Sequence, residues 1–230
     1  NNEMNKTLEE ISQALFKRWF IDFEFPDENG NPYRSSGGEM VYSEKLGKEI
    51  PKGWEVKRLD DMAKLEMGIS PKGSSYNSIG QGLPLLNGAA DFNGKSIKPN
   101  KYTTSPTKTC KENDIIFCIR GTIGNITFSD SIYCIGRGVS SLSPYKDDYR
   151  ELIFLSLNQY LNKLINNAFG SVILGLSKED ISSLLILLPS GDTIKLFHNI
   201  VLNLNYLLKN NNIQSQELSE LRDSLLPKLM

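Results

Sequence analysis

The sequence predicts an α+β fold, in which one mixed α/β domain is flanked by long antiparallel coiled-coil helices. Three observations lead to this expectation: helical spacing of apolar residues over 4–22, short apolar runs split by turn residues from Trp54 to Leu188, and helical spacing again from Asp192 to Leu226. We therefore expect an N-terminal helix at 1–24, a linker at 25–50, a globular domain at 51–189 and a C-terminal coiled-coil helix at 190–230.

The N-terminal helix is predicted from apolar side chains at steps of four and three, which are Met4, Leu8, Ile11, Leu15 and Trp19. Such a stripe buries one side of a helix. Phe23, Phe25 and Pro26 are expected to end it. Because residues 27–38 are rich in Asn, Gly, Ser and Pro, they indicate a linker before the globular domain.

The central domain is predicted to be strand-rich, with candidate strands at Trp54–Leu59, Leu83–Asn87, Asp114–Arg120, Ile132–Ile135 and Leu184–Leu188. Helical spacing from Leu152 to Ile165 predicts a helix that packs on the sheet. A short helix is expected to begin at Ser177, because Asp180 follows three residues later in a capping arrangement.

The C-terminal helix carries a heptad pattern, with apolar residues at Ile200, Leu204, Leu207, Leu218, Leu221 and Leu225 and polar residues at Asn211 and Gln214. Polar layers in such a seam penalise misaligned registers. We expect the shorter N-terminal helix to cover residues 200–208 only. The predicted surface for a partner, or for a second copy in a homodimer, comprises Leu204, Leu208, Leu218, Leu221 and Leu225.

Composition excludes several classes of protein. No apolar run approaches the roughly 20 residues of a membrane span, so we expect a cytoplasmic protein without membrane contact. The three cysteines lack CxxC spacing and are expected to be buried, reduced thiols. The net charge of −1 argues against DNA binding by bulk electrostatics alone, but residues 70–137 hold eight Lys or Arg against four acids, a local excess of +4.

Catalytic patterns are scarce in this sequence. His198 is the only histidine, and neither GxxxxGK[ST] nor GxGxxG after a strand occurs, so we expect no catalytic site, no metal and no cofactor. One alternative stays open: Asp27, Glu55 and Lys57 follow the PD-(D/E)xK order of metal-dependent nucleases. Its weakness is that Asp27 falls in the linker, whereas a catalytic carboxylate needs a rigid element.

Several segments carry a family resemblance, and they are Ile50–Asp61, Gly68–Asn77, Gly82–Gly88, Asn113–Phe117, Arg120–Gly124 and Ile135–Gly138. In order and spacing they resemble the target recognition domain in specificity subunits of type I restriction-modification enzymes. Residues 8–25 and 218–230 resemble the family's conserved helices. The chain departs from the family in having one recognition domain and beginning inside a helix, whereas the family has two recognition domains.

The resemblance implies a non-catalytic subunit that reads double-stranded DNA. Its implied partners are methyltransferase (modification) subunits and, through them, restriction and motor subunits. A coiled-coil adaptor whose globular domain binds protein is the other alternative.

Polar loops of the central domain supply the candidate DNA contacts. The candidates are Ser74, Ser75, Tyr76 and Asn77 for the groove, Asn87 and Asp91 for base edges, Lys72, Lys95, Lys98 and Lys101 for phosphates, and Arg120 and Arg137 for guanine. Each has a structural alternative: the arginines would brace glycine turns through salt bridges, and the serines and Asn77 would cap turns.

Overall fold

The computed structural model describes residues 1–93, 96–167 and 175–229. Contacts divide the chain into two compact units: unit 1 comprises Asn1–Glu55 with Leu187–Met230, and unit 2 comprises Val56–Ile186. The helices are α1 (Asn2–Phe16), followed by a π-helical turn (Lys17–Ile21), α2 (Arg150–Asn167), α3 (Lys178–Ser182) and α4 (Gly191–Leu229). Within the described ranges, no helix is long and apolar enough to cross a membrane.

The strands are short. They are β1 (Met40–Ser43), β2 (Lys48–Pro51), β3 (Glu55–Arg58), β4 (Ala63–Met67), β5 (Tyr76–Asn77), β6 (Leu83–Leu86), β7 (Phe92–Asn93), β8 (Ser96–Ile97), β9 (Lys101–Thr103), β10 (Ile115–Cys118), β11 (Ile126–Phe128), β12 (Cys134–Ile135), β13 (Val139–Pro144) and β14 (Leu185–Leu188). The predicted α+β fold class is therefore confirmed.

Unit 1 contains the antiparallel helix pair. Near the start of α1, Asn211 Nδ2 donates to Asn5 Oδ1 over 2.9 Å. At the other end, the Trp19 ring centroid lies 5.7 Å from that of Phe197. These two contacts fix the antiparallel orientation that the sequence predicts. At 1.5 Å per residue, the 39 residues of α4 span roughly 58 Å, so α4 extends well beyond its contacts with α1.

The buried face of α1 differs from the predicted stripe. Met4 and Ile11 are 57% and 46% exposed, whereas Ser12 and Phe16 are buried. The Ser12 hydroxyl is satisfied within the helix, where it donates to the Leu8 carbonyl. The face changes because α1 continues into a π-helical turn, which has more residues per turn than an α-helix. The two consecutive residues Trp19 and Phe20 are both buried there. The predicted stripe is therefore wrong at Met4 and Ile11.

Aromatic packing holds the chain that follows the π turn. The rings of Phe20, Phe23 and Phe25 lie 5.5, 5.9 and 4.7 Å from the Trp54 ring, centroid to centroid. Phe23 adopts a positive φ of 62°, which reverses the chain after the helical segment. The predicted linker, 25–50, belongs to unit 1 and holds all but the last residue of the antiparallel hairpin β1–β2.

The side of α4 that packs in unit 1 has a different register from the predicted seam. Ile194, Phe197 and Val201 are buried, and the same heptad spacing continues through Leu204, Leu208 and Asn211, which are half-buried. Leu207, a predicted seam residue, is 49% exposed, and Gln214 is exposed too. The predicted polar layer is thus present at Asn211 and wrong at Gln214.

Two four-stranded sheets, in the orders β11-β10-β13-β4 and β12-β6-β9-β5, form the body of unit 2. One core joins them, since buried Leu86 and Ile135 from the second sheet pack with Ile116 and Val139 from the first. Phe154 of α2 stacks on Phe128 of β11 with 4.5 Å between ring centroids.

The predicted helices of unit 2 are confirmed, because α2 covers residues 152–165 and α3 has Ser177 as its N-cap. The Asp180 backbone N–H donates to Ser177 Oγ over 3.2 Å. The five predicted strands correspond to β3, β6, β10, β12 and β14, although β12 is only two residues long.

Candidate nucleic-acid interface

Sheet topology brings several predicted DNA contacts to one edge of unit 2. Strand β9 runs antiparallel to both β5 and β6, and β12 runs parallel to β6. The carboxyl ends of β5, β6 and β12 therefore meet at the edge where β9 begins. We call this the polar edge, and its residues are Asn77, Asn87, Lys101, Arg120 and Arg137.

The two arginines reach the polar edge from different strands. Strands β10 and β13 pair up to Cys118 and Val139, and the Ile119 N–H continues the ladder by donating to the Gly138 carbonyl over 2.9 Å. The next residue in each direction is an arginine, Arg120 after β10 and Arg137 before β13. Both are exposed, so backbone pairing presents two guanidinium groups at neighbouring positions.

Close backbone approaches brace the loop that carries Arg137. A Cβ atom on Gly138 would collide with the Asn87 carbonyl oxygen, and one on Gly136 would collide with the Asn87 side chain. Glycine is required at Gly138, where the obstacle is backbone, whereas at Gly136 the obstacle is the end of a side chain that can move aside. The Arg137 N–H also donates to Ser70 Oγ over 3.2 Å. The loop is therefore fixed by its neighbours, while the Arg137 side chain extends outward.

The chain between β6 and β9 begins and ends at the polar edge. Asp91 within it is buried, and its Oδ2 accepts the backbone N–H groups of Asn87 and Gly88 at 2.7 and 3.2 Å. This geometry favours a turn-bracing role for Asp91 over a contact with a base edge. Lys98 is exposed, as phosphate contact requires, and Lys95 lies outside the described residues.

The predicted groove contacts before and within β5 have mixed environments. Lys72 and Ser74 are exposed on a helical turn at the start of β5, away from the polar edge. Ser75 Oγ donates to the Lys72 carbonyl over 2.7 Å, so Ser75 holds this turn. The half-buried Tyr76 ring lies under the Lys101 ammonium group, 5.9 Å from Nζ to the ring centroid. Tyr76 thereby positions a cation at the polar edge.

Two of the four acidic side chains counted in residues 70–137 are buried and hydrogen-bonded to the backbone. Besides Asp91, the buried Asp114 holds a turn, where its Oδ2 accepts the Lys111 N–H over 2.8 Å. These two carboxylates are directed at backbone amides inside the fold. The exposed cations in the described part of residues 70–137 include Lys72, Lys98, Lys101, Arg120 and Arg137.

An open cavity of about 700 Å³ lies in unit 2, where Ala63 of β4 pairs with Pro144 of β13 at the end of the ladder far from Val139. Its acidic groups are ion-paired. The Lys108 ammonium group, with Lys64, holds the pKa of Glu66 below its usual value, and Arg58 does the same for Asp60. Both carboxylates are therefore charged near neutral pH and poorly suited to act as general acids.

The nuclease alternative lacks supporting geometry. Asp27 Oδ1 accepts the N–H groups of Asn29 and Asn31, each at 2.8 Å, so this carboxylate closes a turn. In the ranges that the structure describes, no group of three or more His, Cys, Asp or Glu side chains could hold a metal ion.

Two residues that support the candidate contacts from within the fold were not anticipated. Ser70 anchors Arg137 across 67 residues of sequence, and Thr103 hydrogen-bonds Ser75 at 2.8 Å between hydroxyl oxygens. Neither could be found from local sequence, because both depend on strand pairing between distant segments. The exposed Ile79 was missed as well, since an apolar residue is normally read as core.

The comparisons with known proteins agree with the resemblance. A model of the type I restriction modification DNA specificity domain matches residues 51–222. The specificity subunit of the type I restriction enzyme MjaIX from Methanocaldococcus jannaschii is 29% identical over 99% of this chain, which spans 53% of that relative. A putative type I restriction enzyme MjaX specificity subunit from the same organism is 34% identical over 61% of this chain. The match covers 34% of the length of that relative.

Among solved structures, the HsdS subunit from Thermoanaerobacter tengcongensis superposes with a TM-score of 0.62 at 22% identity. That match covers 99% of this chain and 51% of the solved one, and it supports the fold. The chain thus spans about half the length of this structure and of the first relative. Because the family model covers well over half of the chain, this protein belongs to the family of type I restriction modification DNA specificity domains.

Proposed function

We propose that this chain is the DNA-reading, non-catalytic part of a type I restriction-modification enzyme. In this function it binds double-stranded DNA in a sequence-specific manner and directs methyltransferase subunits, and through them restriction subunits, to the site. Membership of the specificity-domain family supports the proposal. The observation that carries it is the polar edge, where backbone pairing places Arg120 beside Arg137 and where the loop that carries Arg137 is braced against Asn87.

The arrangement provides side chains for both kinds of DNA contact, those with base edges and those with phosphates. Arginine presents a planar fork that matches the O6 and N7 acceptors of guanine, so rigidly held arginines are suited to base reading. Lys98 and Lys101 are flexible point charges, which suit phosphate oxygens. Bracing the arginine loop before binding reduces the entropy cost of ordering it on DNA.

The net charge of −1 indicates that the chain alone releases few counterions. We therefore propose weak, salt-sensitive binding by the isolated chain and much tighter binding with methyltransferase subunits present. The test is co-expression with the methyltransferase subunit, followed by sequencing of methylated sites. A single methylated motif that is lost without the chain is the expected result. Methylation without a motif, or metal-dependent DNA cleavage by the purified chain, would refute the proposal.

We also propose that two copies pair through the C-terminal part of α4. The side-chain amides of Asn1 and Asn5 donate to Asn211 and Asn212 of α4, and beyond these residues Leu218, Leu221 and Leu225 are exposed. Leu204 and Leu208, predicted as part of the same surface, lie instead on the half-buried heptad face between Phe197 and Asn211. Two-fold pairing of the three distal leucines would join two identical recognition units, which suits an inverted-repeat site.

A further inference from the structure

The loop between β5 and β6 presents an apolar side chain to solvent. Ile79 is 77% exposed, the highest value among the exposed large hydrophobic residues in the described part of the chain. Single exposed apolar residues are common on protein surfaces and by themselves indicate nothing. Ile79 differs from them in how firmly its backbone is held and in what surrounds it.

The Asn77 side chain closes this loop on itself. Its Oδ1 accepts the backbone N–H groups of Ile79 and Gln81 at 3.2 and 2.9 Å, and its Nδ2 donates to the Gln81 carbonyl over 2.9 Å. Gly82, with φ of 82°, ends the loop where a Cβ atom would collide with the Thr103 carbonyl. The loop therefore has a defined shape, and Ile79 is held outward without packing on the fold.

The surroundings of Ile79 are polar and cationic. Asn77 pairs with Tyr102, so the register sets Lys101 beside Ser78, at the start of the loop. Ser78 and Gln81 are exposed on either side of Ile79. The loop leaves β5 at the polar edge, which also carries Arg120 and Arg137. Ile79 is thus an ordered apolar side chain surrounded by hydrogen-bonding and cationic side chains. Such a site is complementary to a partner groove that has a charged rim and an apolar group on its floor.

The major groove of DNA has that character. Its rim consists of phosphates, and the C5 methyl group of thymine is the apolar feature on its floor. We infer that Ile79 contacts a thymine C5 methyl group in the DNA that this chain reads. The inference rests on the proposed function and makes Ile79 a specificity-determining residue at one A·T pair.

The experiment uses the complex of the full chain with its methyltransferase subunits. A random duplex library selects the motif, and each thymine of that motif is then replaced singly by uracil, which removes only the methyl group. We expect one replacement to weaken wild-type binding about fourfold, the equivalent of about 0.8 kcal/mol for one buried methyl-sized group. Ile79→Ala should bind thymine and uracil equally at that position.

A matched control is Ile132→Ala, because Ile132 is 51% exposed and precedes β12, at the opposite edge of the same sheet. This variant should keep the wild-type preference for thymine. Both isoleucines are exposed, so both variants should unfold at the wild-type temperature.

The outcomes separate the inference from the function on which it rests. If the wild-type complex selects a motif that lacks A·T pairs, or never distinguishes thymine from uracil, the inference fails and the proposed function stands. The same holds if Ile79→Ala retains the full preference. If the wild-type complex selects no motif, the proposed function fails, and the inference fails with it.

Discussion

Asn211 of α4 and Asn5 of α1 are joined by a hydrogen bond of 2.9 Å from Nδ2 to Oδ1, and Asn5 in turn donates to Asn212 Oδ1 over 2.7 Å. This amide network favours one longitudinal alignment of the two helices, because a shift by one turn would place Asn211 opposite Leu8 or Asn5 opposite Leu208. A polar layer of this kind lowers stability and raises specificity of alignment.

Replacing both amides tests this role. Asn5→Leu/Asn211→Leu should equal or exceed the wild type in free energy of unfolding, since both hydrogen-bonding groups are removed together. Asn211→Ala alone should be less stable, because Asn5 loses a partner. Urea denaturation measures stability, and sedimentation velocity should detect additional assemblies of the double variant. A double variant that is strongly destabilised and remains one species would contradict the alignment role.

The distal leucines of α4 give a prediction about assembly. Leu218→Glu/Leu221→Glu should convert a dimer to a monomer at tens of micromolar, since burying each leucine contributes roughly 1.5–3 kcal/mol before association costs. Light scattering measures the mass. Gln216→Glu/Ser219→Glu adds two charges on other sides of α4 and should leave the dimer intact. A wild-type monomer, or a dimer indifferent to charges at Leu218 and Leu221, would refute helix-mediated pairing.

Substitutions at the candidate DNA contacts should divide into two classes when measured in the methyltransferase complex. Arg137→Ala should reduce discrimination between the cognate site and single-base variants by about 1–3 kcal/mol, and Tyr76→Ala should also alter discrimination. Lys98→Ala should weaken binding to every duplex alike and lower the salt slope by about one.

The control for this comparison is Lys178→Ala, because Lys178 lines the cavity at the far end of β13 and should not contact DNA. Competition binding at two salt concentrations distinguishes the classes. Unchanged specificity in a folded Arg137→Ala protein would leave that residue with only a structural role.

The α3 cap gives a prediction that is independent of DNA. Ser177→Ala removes the acceptor for the Asp180 N–H and should lower the free energy of unfolding by about 0.5–2 kcal/mol. Hydrogen bonds from Ser177 lower the pKa of Asp180 in the folded state. The stabilisation linked to this shift is present above the usual pKa of 3.8 and is lost as pH falls through the folded value.

The difference between Ser177→Ala and wild type should accordingly shrink in acid. Ser183→Ala at the other end of α3 removes only a bond to the Glu179 carbonyl and should have a smaller, pH-independent effect. Denaturation at pH 7 and pH 3 measures both variants. Equal losses for the two serines at neutral pH would contradict the capping role.

The three cysteines are buried in unit 2, and burial raises the pKa of the Cys118 thiol to about 12 and raises that of Cys110 as well. Thiolates are the reactive species, so the folded protein should react slowly with a disulfide reagent at pH 8. Unfolding in guanidinium should release all three thiols, which serves as the control. Rapid labelling of the native protein would contradict the burial of these thiols in solution.

Sequence patterns predicted the elements whose signal is local. The helices and the Ser177 cap follow from spacing over a few residues, and the structure contains them. Strand β13, by contrast, was missed because its buried Ser140 and Ser141 interrupt the apolar run expected of a central strand. The buried face of α1 was misassigned because a π-helical turn changes the periodicity. The spacing of the apolar residues does not indicate that turn.

The site was predicted as separate residues and not as an arrangement. Arg120 and Arg137 each stand beside a glycine in the sequence, but their shared edge depends on the pairing of β10 with β13. Asp91 was expected to read a base, whereas its burial against two backbone amides became visible only in the fold. The shared edge of the arginines depends on long-range strand pairing, which local patterns do not encode. The bonds of Asp91 are local, to residues three and four positions away, but the loop sequence suits a base contact equally well.

The ends of unit 2 have a consequence for how such proteins diversify. The unit begins within β3 and ends within β14, and these two strands are hydrogen-bonded partners. Paired strands lie about 4.8 Å apart, so the unit starts and finishes at nearly the same point in space. Such a segment can be exchanged by recombination for another of different loop sequence while the helices of unit 1 keep their own contacts. A lineage could in this way acquire a new DNA target in one genetic event, without first evolving a new assembly.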